Sequence, residues 1–216
     1  MLLRLTTLLL TGILAACASY TAEYQERLVR SLPNQREVSF DNTRSYPGKI
    51  LCGSYTTLTA DGWDMRTSEF VVGESFMLTR PTADEVLVFC SKDPAQALHT
   101  LLGIGAADSN WEALSKIRDD ILAIDAAITR YYDSMHTLPR TLNKLLEGDF
   151  GVNDKNLSDP WDRPYYYLGG LSGRTAPQYQ LGSLGADGDE GGSDADADIR
   201  REQMRMLDHV LSTEGY

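Results

Sequence analysis

Between Leu184 and Asp198 the chain places six carboxylates in the twelve residues that start at Asp187: Asp187, Asp189, Glu190, Asp194, Asp196 and Asp198. Glycines at positions 185, 188, 191 and 192 let the backbone turn back on itself there. Carboxylates crowded into a tight loop repel one another unless a cation neutralises them. Cation binding is therefore the chemistry this stretch offers. Calcium suits it, since it takes about six to eight oxygens from carboxylates and backbone carbonyls in flexible geometry. Magnesium demands a stricter octahedron and keeps its waters. The spacing is not that of an EF-hand, because no Glu stands in register at the twelfth loop position. On composition alone, a solvated acidic loop is the competing reading.

The cysteines offer a second kind of chemistry. Met1 to Ala16 carries one cation, Arg4, followed by Leu8, Leu9, Leu10, Ile13 and Leu14, the charged-then-apolar order of an export signal. The apolar stretch is short of the ~20 residues a bilayer span needs. It ends in Leu14-Ala15-Ala16-Cys17, which resembles the lipobox of bacterial lipoproteins. That resemblance implies cleavage before Cys17 and acylation of the cysteine, an anchor of several chains at ~0.8 kcal/mol per buried methylene. A cysteine that merely follows a plain signal peptide is the alternative. Ala18, rather than Asp, points to the outer membrane, facing the periplasm. Cys52 and Cys90 are left. In an oxidising compartment they are expected to form a disulfide, worth roughly 4 kcal/mol by loop-closure entropy. Free buried thiols are the alternative, and two thiolates make only half a zinc site.

The elements that must hold these residues follow from periodicity. Ser19 to Leu32 reads as a short helix with Tyr20, Tyr24 and Leu28 on one face. Ser45 to Ser91 reads as a small antiparallel sheet. Its strands are a run from Lys49 toward Thr59, then Phe70-Val71-Val72, Phe76-Met77-Leu78 and Val86 to Cys90. In that reading a Cys52–Cys90 bridge ties the first strand to the last. A helix starts at Asp93-Pro94 and breaks at Gly103 and Gly105. Asn110 is the expected N-cap of a long helix with Leu114, Ile117, Ile121, Ile124, Ile128 and Tyr131 on its apolar stripe. A short helix over Thr141 to Leu146 follows, then two strands around Tyr165 to Leu168 and Gln178 to Leu181, and a helical tail from Ile199 to Leu211. The expected organisation is a signal peptide over 1–16, a β-rich part over 17–104, a helix-plus-sheet part over 105–199 and a tail over 200–216. The fold class is α+β: a small disulfide-linked antiparallel β unit, then a long helix packed on a small antiparallel sheet that carries the acidic loop.

Several motifs in the second half stand at consistent spacing. They are His136-Thr137-Leu138-Pro139 after the long helix, Asp159-Pro160-Trp161-Asp162-Arg163-Pro164-Tyr165, and Tyr179-Gln180-Leu181-Gly182-Ser183-Leu184-Gly185-Ala186-Asp187-Gly188. Glu190-Gly191-Gly192 and Ala197-Asp198-Ile199 follow. Together, over about residues 111 to 199, they resemble the globular domain of the type II secretion major pseudopilin. The resemblance implies a calcium site made by the carbonyl of Leu184, the side chain of Asp187, the carbonyl of Asp189 and carboxylates from Asp194, Asp196 and Asp198. It departs from the family at Asp162 and Arg163, which replace Gly and Asn. It departs again at the N-terminus, where a lipobox stands in place of a prepilin-peptidase site and a membrane-spanning helix.

A formal net charge of -11 and the absence of any basic run argue against nucleic acid as a partner. The expected function is that of a calcium-stabilised, lipid-anchored, non-catalytic envelope protein that contacts a secretion or pilus-like machine. The competing reading is an envelope enzyme or small-ligand binder using the β-rich part, with Asp61, Asp64 and Glu69 near Trp63 as its carboxylates. His99, His136 and His209 have no nucleophile arranged beside them in the sequence.

Overall fold

The structure, a computed structural model, describes residues 20–33, 37–59, 62, 64–104, 110–171 and 178–216. Cys17, Asp61 and Trp63 lie outside the described residues. The chain divides into two compact units, one ending at Pro94 and one running from Ala95 to Tyr216. The division falls at Pro94 rather than at the glycines 103 and 105.

The first unit opens with helix α1 (residues 20–31). Four antiparallel strands follow in sequence order: β1 (Ser39–Tyr46), β2 (Ile50–Leu58), β3 (Met65–Val72) and β4 (Met77–Leu78). Strand β1 is an element the sequence pattern does not announce, since five of its eight residues are exposed. It pairs with β2 through the turn at residues 47–49, where Gly48 and Lys49 both adopt positive φ. Alternation along β2 and β3 sends Leu51, Tyr55, Phe70 and Val72 to one face, where they form a core with Tyr24, Leu28 and Leu32. Arg27 fixes α1 to the β3–β4 turn by donating to the carbonyls of Gly73 and Glu74 at 3.0 and 3.1 Å. Gly53 is demanded by close approach: a Cβ there would lie 3.0 Å from both the Asp41 carbonyl oxygen and the Phe70 ring.

The segment Val86 to Cys90 is not a strand. It belongs to helix α2 (Ala83–Phe89), started by a capping box in which Thr82 Oγ1 accepts from the Glu85 N–H and Glu85 Oε2 accepts from the Thr82 N–H. Val88 and Phe89 are fully buried. Cys90 is the C-cap of this helix and is bonded to Cys52. The disulfide therefore exists, but it joins the second strand to a helix end rather than strand to strand. Cys52 has the opposite parity to Leu51 in β2, so the bridge clamps the sheet face turned away from the α1 core.

Helix α3 (Pro94–Leu102) starts at the division, and the second unit continues with the long helix α4 (Trp111–Met135). Asn110 caps α4 as expected, its side chain accepting from the Ala113 N–H at 3.1 Å. Leu114, Ile117, Ile121, Ile124 and Ile128 are all buried along it. His136, in the left-handed conformation, ends it. A 3-10 turn (Leu142–Glu147) replaces the expected short α-helix. The sheet is antiparallel and three-stranded: β5 (Tyr166–Leu171), β6 (Gln178–Ser183) and β7 (Ile199–Arg200). Helix α5 (Met204–Glu214) packs on α4 and buries Met204, Met206, Leu207, Val210 and Leu211. It is part of the core rather than a trailing tail. Among the described residues, no helix is long and apolar enough to cross a membrane.

Candidate functional site: the acidic loop and its supports

The loop hangs between β6 and β7, so these strands set its two ends. Ser183 closes β6 and pairs with Ile199 at the start of β7. The residues between them wind tightly. The Ala186 N–H donates to the Ala195 carbonyl at 2.8 Å and draws the two limbs together. Gly185 (φ 67°) lies so close to Asp196 that a Cβ would come within 2.6 Å of its carbonyl oxygen, and a Cβ on Gly192 (φ 88°) would collide with the same oxygen. Here only glycine supplies both the left-handed backbone and the space.

Two carboxylates whose burial the sequence pattern does not announce, Asp120 and Asp159, hold the segments that lead to the loop. Asp120 sits on the apolar face of α4, 5% exposed. It pairs with Lys116 and accepts from the Tyr165 hydroxyl and the Asn156 amide, each at 3.0 Å. This network ties α4 to the segment that leads into β5. Burial and the Asp120 charge together push the Tyr165 hydroxyl far above its ordinary pKa, so it stays a donor. Asp159, 3% exposed, holds the next turn. Its Oδ1 accepts from the N–H groups of Trp161 and Arg163, each at 3.0 Å. Its Oδ2 accepts from Ser183 Oγ at 2.8 Å, and Ser183 Oγ in turn accepts from the Gly185 N–H at 3.2 Å. The Asp159 turn and the loop entrance are thus one hydrogen-bonded piece with Leu184 at its centre. On the other side of α4, Asp125 accepts from the Tyr179 hydroxyl and pairs with Arg201 at 3.0 Å, while Arg201 also stacks over the Tyr179 ring.

The structure places the expected ligands unevenly. Leu184 is half-buried at the loop entrance, while Asp187, Asp189, Asp194 and Asp196 are exposed. Asp187 Oδ1 accepts from the Asp189 N–H at 3.0 Å. Asp194, in the left-handed region at φ 56°, donates its N–H to the Gly103 carbonyl at 2.8 Å. Asp198 is the inward-facing member. Its Oδ2 lies 3.4 Å from Arg200, and its Oδ1 is buried without a hydrogen-bond partner. Leu184, Glu190 and Asp198 share a cavity of about 570 Å³ with residues of β6 and β7. Among the described residues, no three acidic, His or Cys side chains converge as a metal-binding group. The donors on hand are oxygens, carboxylate and carbonyl, without His or Cys. A buried carboxylate oxygen left unpaired is costly unless a cation meets it. In kind, this set fits a hard cation such as calcium.

The family model for type II secretion system protein G matches residues 107–202. Residues 107–202 are a type II secretion pseudopilin domain. The type II secretion system core protein G of Pseudomonas aeruginosa is 41% identical over 96 residues, covering 38% of this chain and 66% of that protein. The match takes in α4, the 3-10 turns, the sheet, the Asp159 turn and the acidic loop, and it ends ahead of α5. The β-rich first unit lies outside it.

Proposed function

We propose that this protein displays a calcium-stabilised pseudopilin domain from a lipid anchor in the cell envelope, where it has a structural or interaction role in a protein-secretion machine. The observation that carries this reading is the 41% identity to a type II secretion core protein across the domain that holds the acidic loop. The family supports contact with other secretion-system proteins and a non-catalytic role. In the calcium reading, the Leu184 and Asp189 carbonyls and the carboxylates of Asp187, Asp194, Asp196 and Asp198 hold the ion. Bound there, it neutralises the loop and fixes its shape. The unpaired Oδ1 of Asp198 supports a cation at that point. Acylation at Cys17 supplies the anchor, and the outer membrane is its expected destination.

Two measurements test the proposal. Cross-linking in intact cells, followed by capture of this protein, should recover pseudopilins or other secretion components, and deletion of its gene should lower export of their substrates. Metabolic labelling with a palmitate analogue should mark the wild type and not Cys17→Ser. Unchanged export together with an empty capture would overturn the secretion role, and an unlabelled wild type would overturn the anchor.

A further inference from the structure

We propose that Arg163 is a fixed counter-charge for the acidic loop, one that holds the loop in shape without metal and lowers its affinity for calcium. The second half of this proposal rests on the calcium reading above. The Arg163 backbone is clamped at both polar groups: its N–H donates to Asp159 Oδ1 at 3.0 Å, and its carbonyl accepts from the Asp159 N–H at 2.8 Å. The preceding residue, Asp162, takes the left-handed conformation at φ 61°, so the turn points the Arg163 side chain from a rigid base. That side chain reaches Gly188, in the middle of the loop. A Cβ on Gly188 would collide with Arg163 Nη1 and come within 3.0 Å of Cζ. Gly188 (φ 74°) therefore leaves the room in which the guanidinium rests, against the backbone of a loop whose Asp187 and Asp189, on either side of Gly188 in sequence, are exposed.

A guanidinium stays charged at every accessible pH. Held against the acidic loop, it offsets the mutual repulsion of the loop carboxylates through space, and it repels a divalent cation that enters the same loop. The two effects have opposite signs, which separates them from simple packing. Without metal, Arg163 raises stability. With calcium, it weakens binding.

Calcium titration by calorimetry and thermal melting in EDTA, on the wild type, Arg163→Gln and Arg163→Lys, test this. Arg163→Gln is expected to bind calcium on the order of three- to tenfold more tightly in ~0.1 M salt. It should also melt lower than wild type in EDTA and recover as sodium chloride is raised. Arg163→Lys, which keeps the charge, should restore both values toward wild type. An Arg163→Gln protein with equal or weaker calcium affinity, or with an unchanged melt in EDTA, would overturn the proposal. If no variant binds calcium, the calcium reading itself fails and the EDTA melts decide. A lowered Arg163→Gln melt rescued by Arg163→Lys upholds the counter-charge, and three equal melts overturn it.

Discussion

Replacing Asp159 by alanine removes the acceptor of three hydrogen bonds at once: those from Trp161 N–H, Arg163 N–H and Ser183 Oγ. Ser183 is 1% exposed, so its hydroxyl loses an acceptor where water does not enter. The two backbone donors belong to half-buried residues that water can partly reach. At ~1–3 kcal/mol for each stranded buried group, with the backbone donors near the lower end, the sum is about 3–4 kcal/mol. For a domain of this size, at ~3 °C per kcal/mol, that is a fall of about 10 °C in Tm. Asp159→Asn behaves differently. Its remaining oxygen still accepts from Trp161 and Arg163, and its amide donates to Ser183 Oγ, so the expected loss is only about 1–2 kcal/mol. Thermal melting followed by tryptophan fluorescence reports on this unit through Trp111 and Trp161. An alanine variant that melts within about 2 °C of wild type would refute the view that one carboxylate couples the turn to the loop. So would an asparagine variant as damaged as the alanine one.

The remaining fold makes two further predictions. Burial lowers the pKa of His209 to about 4 despite the pull of Asp208, whereas the unfolded chain titrates it near 6.5. The unfolded state thus binds the extra proton first. Stability tied to the neutral imidazole is complete above pH ~6.5, falls as pH drops toward 4, and amounts to about 3 kcal/mol over that window. In His209→Leu, denaturant melts between pH 7.5 and 4.5 should show a fall in stability smaller than that of wild type by about 2.5 kcal/mol; equal falls would remove His209 as the cause. Cys52→Ser with Cys90→Ser opens a loop of sequence separation 38, at a cost of about 4 kcal/mol to the first unit by chain entropy. Limited proteolysis should then cut that unit selectively, and a cleavage pattern like that of wild type would contradict the expectation.

The long helix was legible because its apolar residues repeat at helical spacing and Asn110 marks its start. The hairpin strands β5 and β6 were legible from aromatic runs between turn residues. Strand β1 was hidden because edge exposure removes the apolar alternation that betrays a strand, and a bulge between Asp41 and Arg44 breaks its period. Helix α2 was misread as a strand because Val86-Leu87-Val88-Phe89 is β-branched and apolar, yet Thr82 and Glu85 spell a capping box that outweighs propensity. In the acidic loop, the carboxylates were visible as composition, but their support was not. Asp120 falls three residues after Ile117 and one before Ile121 on the buried stripe, a position that signals a paired interior charge. Nothing in the spacing announced the link from Asp159 through Ser183 to Gly185, because hydrogen bonds between distant segments leave no local period.

Thermal melting with and without millimolar calcium tests whether calcium stabilises this domain through the acidic loop. Sites of the extracellular kind bind at roughly 10⁻⁴–10⁻³ M, so near-saturation is predicted to add about 1–2 kcal/mol, a rise of some ~3–6 °C. The rise should be smaller with magnesium and lost in Asp187→Ala. A melt that calcium leaves unmoved, or one raised equally by magnesium and in Asp187→Ala, would rule out calcium stabilisation through this loop.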